Sequence, residues 1–338
     1  MINHSKPDIN FEDKKAVNDV LDSLNLVKGK YVKKFENEFA KQFQYQNAIA
    51  TSSGTYALVI GLKLLGIKSG DEVIIPTYVC NNVLEAVVNV GAIPIICDIC
   101  DHWVVTPENV MKHINSKTKA IIIVHIYGIW ADVDEFNKLG VPIVEDCCHS
   151  IGNLPDGRVF GHKGTMSFFS FHATKCLTTG EGGMLVLNDE ALFEKYKKSF
   201  INKAATPVIT DVQASLGLSQ LNRYCNFLNR RNLIAEKYLN NLNQTTLTKI
   251  NKIAKKTIFY RFPLITDRDI NEVVGVFGKE NIAVRRGVDS MLHRYLNLND
   301  KDFPNSVNAF NHTLSIPIYP ALTDNEVETI INKINTIL

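Results

Sequence analysis

"KAIIIVHIYGIWADVDEFNKLGVPIVED", residues 119–146, contains two apolar β-branched runs separated by a shorter polar stretch. "KAIIIVHIYG" reads as a strand, "DVDEFNKLG" as a helix and "VPIVED" as a second strand. Runs this apolar belong to strands covered on both faces, and a strand, a helix and a strand in succession form a parallel unit. The same alternation extends upstream and downstream. "NAIATSSGT" leads into the helix "YALVIGLKLLG", then come "DEVIIP", the helix "NNVLEAVVNVG", "IPIICDI" and the helix "PENVMKHI". "TMSFFSFH" and "GGMLVLN" predict two further strands around Lys175. Before them, "VKKFENEFAKQF" sets Val32, Phe35, Phe39 and Phe43 on one helical face. The fold class predicted is α/β, with a mainly parallel sheet covered by helices.

From "LNRRNLIAEKYLNNL" onward the texture changes to a long helix, the strands "TIFYRFPLI", "NIAVRR" and "TLSIPIY", and helical stretches between them. The last helix opens at Thr323, an N-cap with Glu326 three residues on. We therefore expect a large α/β domain over residues 1–230 and a smaller α+β domain over 231–338. The length of 338 residues suits about two domains.

A net charge of +2, 45% hydrophobic and 21% charged residues describe an ordinary globular chain. The charge speaks against a dedicated nucleic-acid binder. No run of about 18 apolar residues predicts a membrane span. The polar N-terminus lacks a signal-peptide core, so a cytoplasmic location is expected. There the seven cysteines would be free thiols. Cys97 and Cys100 form a C-x-x-C, but no second pair follows at zinc spacing.

Three motifs carry chemistry. In "TSSGTYAL", Gly54 permits a turn and Thr55 opens a helix. Backbone N–H groups there, with the Ser53 and Thr55 hydroxyls, suit a phosphate, although Ser and Thr also cap ordinary helices. In "VPIVEDCCHSIG", Asp146 ends a buried strand with His149 just beyond, where open α/β sheets gather ligands; a solvated strand end is the plainer reading. In "SFFSFHATKCLTTGEGG", Lys175 stands between aromatic residues and a glycine-rich turn, with Ser170 five residues before it. Burial of that kind favours loss of the lysine proton. A phosphate cup, an aspartate for a protonated ring nitrogen and a lysine able to form an imine make up the set that pyridoxal 5′-phosphate (PLP) requires.

With "VEDCCHSIG" and "GTMSFFSFHATKCLTTGEGGMLVLND", the chain resembles the DegT/StrS sugar aminotransferases, a family of fold-type I PLP enzymes. The likeness extends in order through "KFENEFA", "GDEVIIPTYV", "GAIPIICDI", "TDVQASLGLSQL" and "IPIYPALTDNEV". It implies a seven-stranded, mainly parallel sheet and a homodimer with sites at the interface. It implies Lys175 as the Schiff-base lysine and proton carrier, and Asp146 on the pyridine nitrogen. His149 would lie near the ring and Tyr78 would stack on it. Ser53, Gly54, Thr55 and Ser170 would hold the phosphate. The expected reaction moves an amino group from glutamate or glutamine to a keto group of a nucleotide-linked sugar.

Relatives carry an asparagine before the pair Thr210-Asp211, where this chain has Thr206, Pro207, Val208 and Ile209; Asn202 and Lys203 are the possible substitutes. A smaller acceptor such as a phosphorylated keto-polyol, or a PLP-binding regulator without turnover, therefore remains an alternative. Sugar dehydration is disfavoured because such relatives replace the lysine by histidine. A nicotinamide dehydrogenase is disfavoured because no G-x-G-x-x-G follows the first strand. Arg285, Arg286 and His293 are candidate substrate contacts, and His125 or Tyr127 either borders the substrate or is structural.

Overall fold

The structure, a computed structural model, describes residues 1–200 and 208–338. Seven strands form the large sheet: β1 (Asn47–Thr51), β2 (Glu72–Pro76), β3 (Ile93–Cys97), β4 (Thr118–Val124), β5 (Ile143–Asp146), β6 (Met166–Ser170) and β7 (Gly183–Leu187). Their order is β1-β7-β6-β5-β4-β2-β3. Neighbours from β3 across to β6 are parallel. β7 runs against both β6 and β1. The sheet is the mainly parallel, helix-covered one expected. β4 keeps six of its seven residues buried because it lies inside the sheet with both faces covered.

The helix Lys30–Phe43 buries Val32, Phe35, Phe39 and Phe43, the face predicted by their spacing. Phe39 meets Phe169 at 5.3 Å between ring centres, and Phe35 meets Phe171 at 5.3 Å. The aromatic residues before Lys175 are thus a core contact, each contributing about 1.5–3 kcal/mol by burial. Asp211 fixes the start of this helix by accepting from the Gly29 and Val32 N–H groups, both at 2.9 Å. The helix Gly54–Leu64 buries eight of its eleven residues between the sheet and its neighbours.

A second sheet holds β8 (Phe262–Ile265), β9 (Arg285–Arg286) and β10 (Thr313–Ile316) in the antiparallel order β8-β10-β9. All three of these strands are shorter than expected, β10 ending at Ile316. Phe259, at φ 51, lies in the left-handed region and breaks the extended run that began at Thr257. In "NIAVRR" only the last two residues pair with β10, while Ile282 bridges in parallel to Ile2 of the N-terminal segment. β4 likewise stops at Val124, and the chain turns through His125–Gly128 with Tyr127 at φ 59. Among the described residues, no helix is long and apolar enough to cross a membrane.

Candidate active site

A cavity of about 670 Å³ opens beyond the carboxyl ends of β4, β5 and β6. Asp146, His149, Ser170 and Lys175 line it, together with Ser53, Gly54, Thr55 and Arg285. Eight of the residues singled out from sequence therefore share one space.

The cup at the start of the helix Gly54–Leu64 is built by close approach. Ser53 caps the helix by accepting from the Tyr56 N–H at 3.2 Å. The Gly54 and Thr55 amides, in the first turn, have no acceptor within the helix. A Cβ on Gly54 would come within 3.1 Å of Ser170 Cβ and 3.2 Å of Cys148 Sγ. A Cβ on Gly183 would fall 2.4 Å from the Ser53 carbonyl carbon. Both positions need glycine so that β6, β7 and the helix start can converge.

Asp146 is buried, and its Oδ1 accepts from the Cys148 N–H at 2.9 Å. Burial raises its pKa above the usual carboxylate value, against the pull of the Cys148 donor and Lys175. His149 Nδ1 accepts from the Tyr127 N–H at 3.2 Å, and its ring stacks on Tyr260 at 4.1 Å. Burial, then Lys175 and Arg261, holds His149 well below its ordinary pKa, so it is neutral. The Lys175 ammonium lies 5.2 Å from the centre of the Tyr260 ring. The expectation of an easily lost proton rests on burial alone. Burial pushes the Lys175 pKa down, but the fields of Tyr260, Cys148 and Asp146 outweigh it and raise it above the usual value. Tyr260 responds in the opposite sense. Burial raises its pKa, while Lys175 and Arg261 bring it below the ordinary phenol value.

Five candidates, Tyr78, Arg286, His293, His125 and Tyr127, lie outside the cavity lining. Tyr78 is buried with its hydroxyl 2.9 Å from that of Tyr127, the two hydroxyls reaching the space over Gly287. Arg286 donates to the Phe310 carbonyl and to Asn271 Oδ1, and its guanidinium covers the Phe310 ring. His293 is enclosed between Thr77 Oγ1 at 2.6 Å and Asp300 Oδ1 at 2.9 Å. His125 and Tyr127 are buried structural residues: His125 Nε2 donates to Glu145 Oε2, and its Nδ1 accepts from the Ala131 N–H. Asn202, Lys203, Thr206 and Pro207 lie outside the described residues. Val208 and Ile209 follow them, with Ile209 fully buried.

Among the lining residues that the sequence reading did not single out are Tyr260, Arg261 and His4. "YR" within "TIFYRFPLI" stands just before β8, where a reading of alternation alone sees only a strand. His4 reaches the site because Ile2 pairs with Ile282 and His4 Nε2 meets Ser315 Oγ at 2.9 Å.

The open-helix cup, the buried aspartate beside it and the lysine across the cavity fit PLP, which supplies an electron sink when bound. Together with the sheet order, they define a fold-type I PLP-dependent transferase. The chain belongs to the DegT/DnrJ/EryC1/StrS aminotransferase family, whose model matches residues 7–335. It is a PLP-dependent aminotransferase. It is 31% identical over 362 aligned positions to the GDP-perosamine synthase of Vibrio cholerae, covering 99% of this chain and 98% of that one. It is 34% identical over 281 positions to the GDP-perosamine synthase of Escherichia coli O157:H7, covering 77% and 76%. The PLP form of Spr1654 from Streptococcus pneumoniae superposes with a TM-score of 0.88 at 26% identity, covering 99% of this chain and 98% of that chain.

Proposed function

We propose that the chain transfers an amino group from glutamate or glutamine to a keto group of a nucleotide-linked sugar. The observation that carries this is the meeting of Lys175, Asp146 and the Ser53–Thr55 turn in one cavity. The names of the two GDP-perosamine synthases support a nucleotide-linked acceptor.

In this reading Gly54, Thr55 and Ser170 hold the cofactor phosphate at the positive end of a helix. Asp146, ionised when paired with a ring N–H, keeps that nitrogen protonated. Lys175 Nζ removes and returns the proton at the reacting carbon. Neutral His149, fixed by the Tyr260 ring and the Tyr127 N–H, would lie near the cofactor ring. We read residues 1–230 and 231–338 as the two domains. We also read the protein as a cytoplasmic homodimer, a view supported by free thiols and by the exposed apolar side chains of Phe11, Leu24 and Val27.

The test is the absorbance of the PLP-saturated protein before and after glutamate, beside Lys175→Ala. A visible to near-ultraviolet band that bleaches with glutamate, and is absent in the variant, is expected. A band that no amino acid changes would replace this reading with that of a PLP-binding regulator.

A further inference from the structure

Among the described residues, Arg158, Arg223, Arg230, Arg268 and Arg294 pair with carboxylates. Arg231, Arg261 and Arg285 line the cavity and form no ion pair among the described residues. Arg231 spends Nη1 on the carbonyls of Phe259, Tyr260 and Ile318. Arg261 donates from Nη1 to the Gly287 carbonyl at 3.2 Å and has the Tyr260 hydroxyl as a further hydrogen-bond partner, but no carboxylate pairs with it among the described residues. An arginine withdrawn from water and left without a carboxylate is costly unless an anion completes it.

The proposed cofactor accounts for the cup, Asp146 and Lys175 but not for this cationic end. We infer that Arg261, with Arg285 at the mouth, receives the carboxylate of the amino-acid donor. This inference rests on the aminotransferase reading above.

The shared Tyr260 wall favours the donor over the acceptor. Lys175 Nζ and Arg261 Cζ lie 5.2 Å and 5.8 Å from the centre of the same Tyr260 ring. An anion held by Arg261 would face the same Tyr260 ring that Lys175 faces. An amino acid carries its carboxylate on the reacting carbon, whereas a nucleotide-linked sugar carries its phosphates a ring away from the keto group. The planar guanidinium fork suits a carboxylate held by two parallel bonds. His4 does not compete for the anion as a cation. Burial, then Arg261 and Arg285, pushes its pKa down to about 3.

The experiment uses the full-length PLP-loaded protein and the variants Arg261→Gln and Arg261→Lys. The spectral half-reaction is followed with L-glutamate and with 4-aminobutyrate, which lacks the α-carboxylate. Binding of 2-oxoglutarate is measured separately by calorimetry. Arg261→Gln should weaken 2-oxoglutarate and raise the half-saturating glutamate concentration about 10- to 100-fold, with little effect on 4-aminobutyrate. Arg261→Lys should recover part of the loss, because it restores charge without the fork. An unchanged PLP band in both variants shows that the cavity is intact. Unchanged glutamate and 2-oxoglutarate affinities would overturn the inference, as would a loss confined to the keto-sugar acceptor. Failure of the wild type to respond to any amino acid would instead remove the aminotransferase reading, and this inference with it.

Discussion

His125 Nε2 lies 3.0 Å from Glu145 Oε2, and both side chains are fully buried. Glu145 also accepts from the backbone N–H groups of Gly161, Lys163 and Gly164. One carboxylate thereby ties the β4 exit, the end of β5 and the loop that leads into β6. Its neighbour in sequence, Asp146, faces the cavity on the other side of the strand, as the two-residue strand period requires.

Removing that carboxylate leaves several buried donors unpaired. Glu145→Ala should destabilise the protein by about 3–5 kcal/mol, measured by denaturant unfolding. A loss near zero would mean that the loop is held by other contacts.

Asp146→Asn keeps the shape of the cavity floor but cannot hold a ring nitrogen protonated. The variant should still show a PLP band, while transamination falls by roughly 10²–10⁴-fold. Single-turnover kinetics with glutamate would read this directly.

Gly183→Ala places a methyl group against the Ser53 backbone, so the cup must open. PLP affinity should fall at least about tenfold in an equilibrium titration. Exposed Gly157, whose added Cβ meets nothing within 4 Å, serves as a control for affinity rather than stability.

Tyr260→Phe removes a group whose field raises the Lys175 pKa. The variant's amine should lose its proton at lower pH. Cofactor capture by the apo-protein, followed against pH, should therefore shift its rise toward acid. An unshifted profile would show that Tyr260 acts on Lys175 only as a wall.

His4 has a folded pKa of about 3 against an ordinary 6.5. Between those values the unfolded chain binds a proton that the folded chain refuses, so stability falls as pH drops below about 6.5. Relative to pH 7.5, wild-type protein at pH 5 should lose roughly 2 kcal/mol more than His4→Gln does. Unfolding titrations at the two pH values measure the difference.

The sheet and its covering helices were legible because burial of β4 and of Phe35, Phe39 and Phe43 is written as periodicity. Lys175, Asp146 and Gly54 could be placed at one cavity because each stands at or just after a strand end in a short motif. Tyr78 could not, since its direction depends on the turn beyond β2 and on a hydroxyl contact with Tyr127 across the fold. His293 and Arg286 looked like ligands by residue type, but Thr77, Asp300 and Phe310, distant in sequence, complete them. His4 gave no local signal, because its partner Ser315 lies 311 positions away.

A cavity that draws on His4, Asp146, Lys175, Arg261 and Ile318 belongs to no fragment of the chain. Cofactor bound there is linked by mass action to the folding of the whole molecule. At one hundred times its dissociation constant it adds about 2.7 kcal/mol to global stability. Cofactor supply would thus set how much of the protein survives heat or proteolysis, apart from how fast it turns over.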